Sequence, residues 1–563
     1  MERYGYLEEQ REGYPVAAWI WGHRLRVGQH WMEYLLEFLN VLAGFDYALG
    51  QGINTGEASD RLDYTRFTRL GLRRFVFYDD WEKTRHPLDD AARKRLEAVL
   101  RQLCDGNTGP DKDPLTLARA LLRSLSAVEE SRSWFAKSLF PAHENLLFWE
   151  GLRKGATKFV GRRSADGLPP HQLDEGIAFD ARNSFARGGE IYYLILSAGT
   201  RNDPARRRAI TERLRTLLTE PNAALGELAA IIDGAWQQQV GQRGNSHPTG
   251  RLGWIPDPGC PLYVLIAEDV ETFLQADLDP LETLDLLAHL IGFHLTLYLY
   301  HRAHPVALSA CHNDGSCLEA CRPSLPVDAL EGADGGVVRA ISMAAFREQE
   351  ANIVRQAETY IRSQVAAWVR ALPADADPYR TLESDARAHF DLPRLSRVTQ
   401  NAFARRVDAL IQRLGTNPDR DALAEGYAEA LIEVLQQDFD KNFKGVHRKL
   451  AKAVGLAAPR KGPGARFVLG DNLLKALSLA NIPPGGGMTY DEFLQRLYHR
   501  YGLVVGVREA REAGLLERQR INGEYFERNR AALLDKMKHA GLATEYSDAT
   551  AVVNNSVRRN TPC

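Results

Sequence analysis

Four of the chain's six cysteines fall in or just before one loop of the sequence. Cys311, Cys317 and Cys321 follow one another with five and then three residues between them, and Cys260 stands directly after the turn-forming pair Pro258-Gly259. A structural zinc ion needs four thiolate or imidazole ligands at the corners of a tetrahedron, and closely spaced cysteines supply them at little cost in chain entropy. The spacing therefore predicts one structural zinc ion bound by these four cysteines.

Free cysteines are also common as small buried hydrophobic residues, and this alternative stays open. The three loop cysteines sit among Asn, Asp, Gly, Ser and Glu, which is typical of a loop and not of a core. His301, His304 and His312 are reserve ligands. A catalytic zinc is disfavoured, because no His-Glu-x-x-His motif and no deaminase-like His-x-Glu pair accompanies the cysteines.

The elements that position the cysteines are predicted from the spacing of apolar residues. The apolar run Pro261–Ile266 indicates a short strand, and a helix is expected from about Leu281 to Pro305. Earlier in the chain, residues 114–138 are expected to form one helix, while the run 185–196 is compatible with either a strand or a buried helix.

A second candidate site lies in residues 441–466, a stretch that contains no acidic residue. The net charge of the whole chain is −2, so any contact with phosphate must come from a local basic patch of this kind. Phosphate contacts dominate the affinity of proteins for nucleic acid. The stretch is therefore expected to bind duplex DNA through eight cations: Lys441, Lys444, Arg448, Lys449, Lys452, Arg460, Lys461 and Arg466.

The residues that follow are expected to form a winged-helix-like domain. A first helix is predicted over 467–479, and a second over 490–501, where Thr489 and Glu492 complete a capping box. A third helix is predicted over 524–540, and alternating residues over 542–553 indicate the hairpin that forms the wing. Helix-turn-helix variants place their last helix in the major groove, which makes four of its cations candidate DNA contacts: Arg528, Arg530, Lys536 and Lys538.

Winged helices also dock proteins, and three acidic residues of the third helix, Glu524, Glu527 and Asp535, dilute its positive charge. A metal-dependent nuclease is another alternative, with carboxylates at Asp174, Glu175, Asp180 and Glu190. The lysine that usually follows the last acid of such a nuclease is missing, because Ile191 and Tyr192 stand there. No Gly-x-x-x-x-Gly-Lys-Ser/Thr loop occurs, so the chain is not expected to be an ATPase.

Length and pattern together predict a mainly α fold: a multidomain helical protein with few short strands and a C-terminal winged-helix-like domain. The sparse cysteines, the absence of a secretory signal and the polar residues inside the most apolar window predict a cytoplasmic protein with no membrane contact. The expected segments are an N-terminal helical domain (1–150), a central α-rich domain with the cysteine loop (151–335), a long-helix region (336–440), a basic linker (441–466) and the winged-helix-like domain (467–563).

Three scattered segments carry a loose resemblance to known proteins: Trp21-Gly-His-Arg, Phe185-Ala-Arg-Gly-Gly-Glu190 and Tyr498-His-Arg-Tyr-Gly-Leu503. They resemble segments of uncharacterised accessory proteins that accompany DNA-translocating ATPases in bacterial anti-phage islands, including the phosphorothioation-dependent restriction systems. The resemblance implies a cytoplasmic subunit that grips DNA for an ATPase or nuclease partner. The expected function is therefore that of a non-catalytic DNA-binding or scaffold subunit, with the nuclease and a protein-docking adaptor as alternatives.

The cysteine spacing generates a prediction about metal content. Protein purified without chelator should carry about one zinc ion per chain, because four clustered thiols make up a complete ligand set. Cys317→Ser should lower the melting temperature more than Cys104→Ser, which removes a cysteine outside the cluster. Elemental analysis and thermal unfolding of the full chain check both expectations, and a metal-free wild-type protein would contradict them.

Overall fold

A computed structural model describes the following parts of the chain: residues 3–5, 16–22, 25, 29–51, 64–67, 69–77, 87–103, 113–130, 136–148, 188–240, 246–249, 254–305, 316–330, 336–373, 375–390, 392, 397–459, 464–546 and 550–555. Within these ranges the protein is mainly α-helical, and its strands are two to five residues long. The predicted mainly α fold class is confirmed.

Helices account for most of the described residues. They are α1 (Val16–Trp21), α2 (Trp31–Gly44), α3 (Leu70–Phe77), α4 (Pro87–Leu103), α5 (Pro114–Ser124), α6 (Gly188–Gly199), α7 (Pro204–Thr219), α8 (Ala223–Val240), α9 (Pro261–Leu274), α10 (Pro280–Ala303), α11 (Ser316–Ala320), α12 (Gly336–Ala371), α13 (Pro378–His389), α14 (Arg397–Leu414), α15 (Arg420–Phe439), α16 (Gly445–Ala453), α17 (Asp471–Asn481), α18 (Tyr490–Tyr501), α19 (Val507–Glu512), α20 (Leu515–Gln519) and α21 (Glu524–His539). A 3₁₀ turn spans Glu144–Leu146, and a π-helical turn, Asp440–Lys444, joins α15 to α16.

The strands form small separate sheets. They are β1 (Arg3–Gly5), β2 (Tyr64–Phe67), β3 (Ser126–Glu130), β4 (Ala136–Leu139), β5 (Ser246–Thr249), β6 (Trp254–Pro256), β7 (Leu325–Pro326), β8 (Ala457–Ala458), β9 (Arg466–Phe467), β10 (Gly487–Thr489), β11 (Leu503–Val504), β12 (Ala543–Glu545) and β13 (Ala551–Asn554). The described strands form one three-stranded sheet in the order β10-β13-β12 and five two-stranded sheets: β1–β6, β2–β5, β3–β4, β7–β11 and β8–β9. Only β7–β11 is parallel.

The chain divides into two compact units. The N-terminal unit consists of residues 28–252 and 278–288, and the C-terminal unit consists of residues 1–27, 253–277 and 289–563. This division is coarser than the five segments expected from the sequence.

The N-terminal unit is built on the close packing of α2 against α6. Every residue of α2 from Met32 to Ala43 is buried. Gly189 makes the approach possible, because a Cβ atom there would lie 2.3 Å from the Cβ of Glu37 and 2.4 Å from the backbone nitrogen of Phe38. A second core of this unit packs apolar side chains of α3, α4, α5 and α8, with Leu72 and Trp236 among its buried members.

The C-terminal unit is organised around the 36-residue helix α12. Its first half packs against β7 and β9, and α15 lies along it. Trp21, fully buried at the end of α1, donates its indole N–H to the side-chain oxygen of Gln356 on α12 at 3.3 Å. Buried residues recur along α12 at helical spacing, which explains why so long a helix is stable in this position: Val338, Ile341, Phe346, Ile353, Ala357, Ile361, Val365 and Val369.

The end of the C-terminal unit has a regular order of elements. Helix α17 is followed by β10, then α18, then the short helices α19 and α20, then α21 and the hairpin β12–β13. The predicted capping box is present, since Thr489 and Glu492 bond reciprocally at the start of α18. Gly502 ends α18 with φ = +76°, and a Cβ atom there would meet the carbonyl oxygen of Pro323 at 1.8 Å.

Three local expectations were wrong. The run Pro261–Ile266 begins the helix α9 and is not a strand. The prediction failed because a short, mostly buried apolar run has the same sequence pattern in a strand and in a helix. The helix expected over 114–138 ends at Ser124, and β3 and β4 follow it. Residues 441–453 are not a linker: they fold into the π-helical turn and α16, whose apolar side is buried. The ambiguous run 185–196 is helical from Gly188 onward.

No helix among the described residues is long and apolar enough to cross a membrane. The 24-residue helix α10 contains buried polar side chains such as His294 and Thr296.

The α2–α6 contact predicts that Gly189→Ala destabilises the protein. Added atoms in a tightly packed position cost about 1–3 kcal/mol, and here two of the three nearest atoms are backbone atoms that cannot move aside easily. Gly234→Ala in α8 is the matched control, because a Cβ atom there meets nothing within 4 Å and alanine favours the helix by up to about 1 kcal/mol. Urea unfolding of the full chain checks the pair, and equal stability of both variants would contradict the packing argument.

Candidate functional site

The basic residues of 441–452 line one side of the π-helical turn and of α16. The opposite side is buried through Phe443, Val446, His447 and Leu450. Helical spacing therefore places the cations toward solvent, where Lys441, Arg448 and Lys449 are exposed and Lys444 and Lys452 are half-buried. We call this set the basic ridge: Lys441, Lys444, Arg448, Lys449 and Lys452.

Two members of the basic ridge are held by carboxylates. Arg448 forms a two-pronged ion pair with Glu350 on α12, in which its Nη2 donates to Oε2 at 2.8 Å. Lys444 pairs with Asp440 one turn earlier at 2.8 Å. The other three lysines of the ridge, Lys441, Lys449 and Lys452, form no ion pair with any residue that the structure describes.

A buried polar network supports the ridge from below. The hydroxyl of Tyr300 and Nε2 of His447 lie 2.5 Å apart, and Nδ1 of His447 lies 3.8 Å from the carboxylate of Glu350. Burial lowers the pKa of His447, and the nearby Glu350 opposes that shift. Burial alone raises the pKa of Glu350, but the nearby His447 and Arg448 outweigh it and lower that pKa to about 2. The ionised Glu350 therefore fixes α16 on α12.

The third helix of the C-terminal segment, α21, has a different charge pattern. Each of the four cations predicted to contact DNA lies beside a carboxylate: Arg528 beside Glu524 (2.7 Å), Arg530 beside Asp491 (2.5 Å), Lys536 beside Asp471 (3.0 Å) and Lys538 beside Glu545 (2.6 Å). The exposed side of α21 is consequently balanced in charge. This arrangement favours the ridge over α21 as an electropositive surface.

Two of the remaining predicted DNA contacts lie outside the described residues, namely Arg460 and Lys461. The last one, Arg466 on β9, donates to the fully buried carboxylate of Asp328 at 2.6 Å, and Arg339 donates to the same oxygen at 2.9 Å. Arg466 therefore has a structural role.

The inner side of α21 is fixed by one buried amide. The Asn529 side chain donates to the carbonyl oxygens of Val327 and Val505, both at 2.9 Å, and accepts from the backbone N–H of Ala329 at 2.8 Å. Buried amides satisfied in this way specify one arrangement of the elements they join. The helix is thus anchored to the strand segment that contains β7.

A buried carboxylate holds four helices of the C-terminal unit together. Asp269 on α9 accepts from Arg500 at 2.5 Å and from the Tyr501 hydroxyl at 2.8 Å, both at the end of α18. His294 on α10 contacts the same carboxylate at 3.2 Å, and Asn481 on α17 donates to the Tyr501 hydroxyl at 2.8 Å. Three of the groups, Asp269, His294 and Asn481, are completely inaccessible to solvent, so the network is structural and not a reaction centre.

The predicted zinc ligands are only partly within the described residues. Cys260 and Cys321 are buried, whereas Cys311 and the side chain of Cys317 lie outside the described residues. Cys260 is the N-cap residue of α9, and its sulfur lies 3.9 Å from Nδ1 and 4.0 Å from Nε2 of His301. Among the described residues, no group of three His, Cys, Asp or Glu side chains is placed to hold a metal ion.

Of the carboxylates of the nuclease alternative, only Glu190 is described; Asp174, Glu175 and Asp180 lie outside. Glu190 stands in the first turn of α6 and is completely buried, as are Glu33 and Glu37 on the facing helix α2. Glu37 accepts from the backbone N–H of Gly189 at 2.8 Å. The sequence analysis did not single out Glu33 and Glu37, although two glutamates four positions apart inside an apolar helix were a signal.

Comparison with known proteins gives no family for this chain. No family model matches it, no curated protein matches, and no solved structure matches.

The Glu350 network predicts a pH-dependent loss of stability. Because the folded-state pKa of Glu350 is lowered from 4.5 to about 2, its contribution is fully present above about pH 4.5 and is lost as the pH falls toward 2. Glu350→Gln should therefore cost about 1.5–3 kcal/mol at neutral pH, and the difference from wild type should shrink below pH 4.5.

The control for this prediction is Glu425→Gln, which removes an exposed partner of Arg362 and should cost at most about 1 kcal/mol at any pH. Urea titrations of the full chain between pH 7 and pH 3 provide the measurement. A Glu350→Gln deficit that stays constant over this range would contradict the assigned charge state.

Proposed function

We propose that this chain is a non-catalytic subunit that grips the backbone of duplex DNA through the basic ridge. The observation that carries the proposal is the set of three exposed or half-buried lysines, Lys441, Lys449 and Lys452, that lie on one side of a firmly packed helix without a carboxylate partner among the described residues. Lysines in such a position neutralise phosphates and release the counterions of the duplex.

The rigidity of the support favours a binding role. α16 is fixed to α12 by the Arg448–Glu350 ion pair and by the buried His447, so the ridge lysines need not lose backbone freedom when they meet a ligand. Pre-organisation of this kind lowers the entropic cost of binding. The lysine stems remain flexible, which suits contact with phosphates of any sequence and not with particular bases.

The C-terminal segment supports the proposal in a second way. Its order of elements, with the sheet order β10-β13-β12, is the one expected of a winged helix, except that β11 and the short helices α19 and α20 are inserted between α18 and α21. The charge balance of α21 makes this module a secondary contact with DNA in our proposal. The ridge supplies most of the attraction.

A protein-docking adaptor remains the second candidate function. Its specific support is the exposed side of α21, where acidic and basic side chains alternate as in Glu524, Arg528, Asp535 and Lys538. A surface of this kind repels neither an acidic nor a basic partner protein, and it does not attract a polyanion such as DNA. The nuclease alternative gains no support from the described residues, because Glu190, its one described carboxylate, is buried.

The remaining parts of the proposal come from the resemblance of the three segments described above. The subunit is proposed to act in the bacterial cytoplasm, in an anti-phage complex, and to present DNA to an ATPase or nuclease subunit. Co-purification of such a subunit with the chain expressed at its native level tests this part.

The ridge generates a prediction about DNA affinity. The triple variant Lys441→Gln/Lys449→Gln/Lys452→Gln should bind duplex DNA more weakly and with a flatter salt dependence, because each lost phosphate contact removes about 0.9 from the slope of log affinity against log salt. The slope should therefore fall by up to about 2.7. Fluorescence anisotropy of the full chain with a labelled duplex at several salt concentrations measures it.

The matched control is Arg528→Gln/Arg530→Gln/Lys538→Gln, which removes the same number of cations from α21. It should change the slope little, since these side chains are already paired. An effect at least as large as that of the ridge variant would assign DNA contact to α21. Absence of binding by the wild-type chain even at low salt would move the protein to the docking class.

A further inference from the structure

One cation of the basic ridge, Lys444, is held by a carboxylate of the same π-helical turn. Its Nζ donates to Oδ1 of Asp440, four positions earlier, at 2.8 Å. The Asp440 side chain is 58% exposed to solvent and the Lys444 side chain is 28% exposed. The ammonium group therefore meets its partner at the surface of the protein, where a phosphate can also reach it.

The other ion pair of the ridge is of a different kind. Glu350, the partner of Arg448, is only 8% exposed and accepts two hydrogen bonds from the guanidinium group. Opening a pair with a buried carboxylate leaves an uncompensated charge away from water, which is strongly unfavourable. The Arg448–Glu350 pair therefore stays closed when a ligand binds, and Arg448 is not available to a phosphate.

The Asp440–Lys444 pair, by contrast, is easily opened. Exposed pairs of this spacing on a helix contribute so little that opening one changes an equilibrium constant by only about twofold. A phosphate of duplex DNA binds a lysine more strongly in effect, because condensed counterions of the duplex are released into solution. Lys444 can therefore exchange the carboxylate of Asp440 for a phosphate at little cost in free energy.

Asp440 places a negative charge within the basic ridge. The stretch that follows it, 441–466, contains no acidic residue. The charge of Asp440 also acts on Arg448, whose pKa is raised first by its hydrogen bond to Glu350 and further by the charges of Glu350 and Asp440, against the effect of burial. A phosphate that approaches the ridge meets the same negative charge and is repelled by it.

We propose that Asp440 competes with DNA phosphates for Lys444. Asp440 holds this lysine in the free protein and releases it when duplex DNA binds, so that Lys444 becomes a fourth phosphate contact beside Lys441, Lys449 and Lys452. The inference rests on the proposed DNA-binding function and deepens it. In this role Asp440 keeps the affinity of the ridge for DNA below the value that its lysines alone would give.

Fluorescence anisotropy of the full chain with a labelled duplex over a salt series tests the exchange. Asp440→Asn should bind DNA about twofold or more tightly than wild type at about 0.1 M salt, because it frees Lys444 and removes a charge that repels phosphate. Lys444→Gln should lower the slope of log affinity against log salt by up to about 0.9, which is the contribution of one phosphate contact.

The double variant Asp440→Asn/Lys444→Gln separates competition for the lysine from a general effect of charge. If Asp440 acts by holding Lys444, its replacement should improve the affinity much less in the Lys444→Gln background than in wild type. An equal gain in both backgrounds would overturn the proposal.

The matched control is Glu429→Gln, which removes an exposed carboxylate of α15. Glu429 precedes Asp440 by about 16 Å along the helix axis, which exceeds the Debye length of about 10 Å at 0.1 M salt. This variant should therefore bind DNA with the affinity of wild type, and a gain as large as that of Asp440→Asn would also count against the proposal. Equal melting temperatures verify that the compared variants are folded.

Failure of the exchange is distinguishable from failure of the proposed function. If the triple variant at Lys441, Lys449 and Lys452 binds DNA more weakly while Asp440→Asn and Lys444→Gln both bind like wild type, the ridge uses three lysines and the exchange is refuted. If the wild-type chain binds no duplex DNA even at low salt, the proposed function fails, and the exchange fails with it.

Discussion

The buried carboxylate of Asp269 is the interaction on which the arrangement of the C-terminal unit depends. A carboxylate completely removed from water costs several kcal/mol unless it is paired and fully hydrogen-bonded. Here the compensation comes from Arg500 and Tyr501 at the end of α18 and from His294 on α10. Since these groups are separated by 25 to 232 positions in the chain, the charge is satisfied only when the whole set of helices is assembled. The C-terminal segment from α17 to β13 is therefore part of a larger folded body.

Buried carboxylates need positively charged partners, and this need determines which cations remain available to bind a ligand. Buried carboxylates at Asp328 and Glu350 take up Arg466 and Arg448, and the acidic residues around α21 take up its four cations. What remains on the described surface of 441–452 is a row of lysines. The electropositive surface is thus defined by the pairs that the fold has already made, and a count of basic residues along the chain overstates it.

This explains what the sequence could and could not predict. Periodicity and capping signals located α17, α18 and α21, including the Thr489–Glu492 capping box, because these signals are local. The start of α9 was missed because a short buried run is apolar on every side. The stretch 441–466 is free of acids in sequence, but Arg448 and Arg466 pair with carboxylates 98 and 138 positions away. The sequence could name Cys260 and His301 as candidate ligands, but their contact depends on how α9 and α10 meet.

Arginine and lysine side chains have different roles in this protein because a guanidinium and an ammonium group bind carboxylates differently. A planar guanidinium can bind a carboxylate through two parallel hydrogen bonds, and Arg448 binds Glu350 in this way. The guanidinium groups of Arg500 and Arg466 pair with the buried carboxylates of Asp269 and Asp328. An ammonium group is a point charge on a flexible stem and stays strongly hydrated, so its pairing with a surface carboxylate contributes little. Arg448, Arg466 and Arg500 therefore hold elements of the fold together, and Lys441, Lys449 and Lys452 are exposed or half-buried, where a polyanion can reach them.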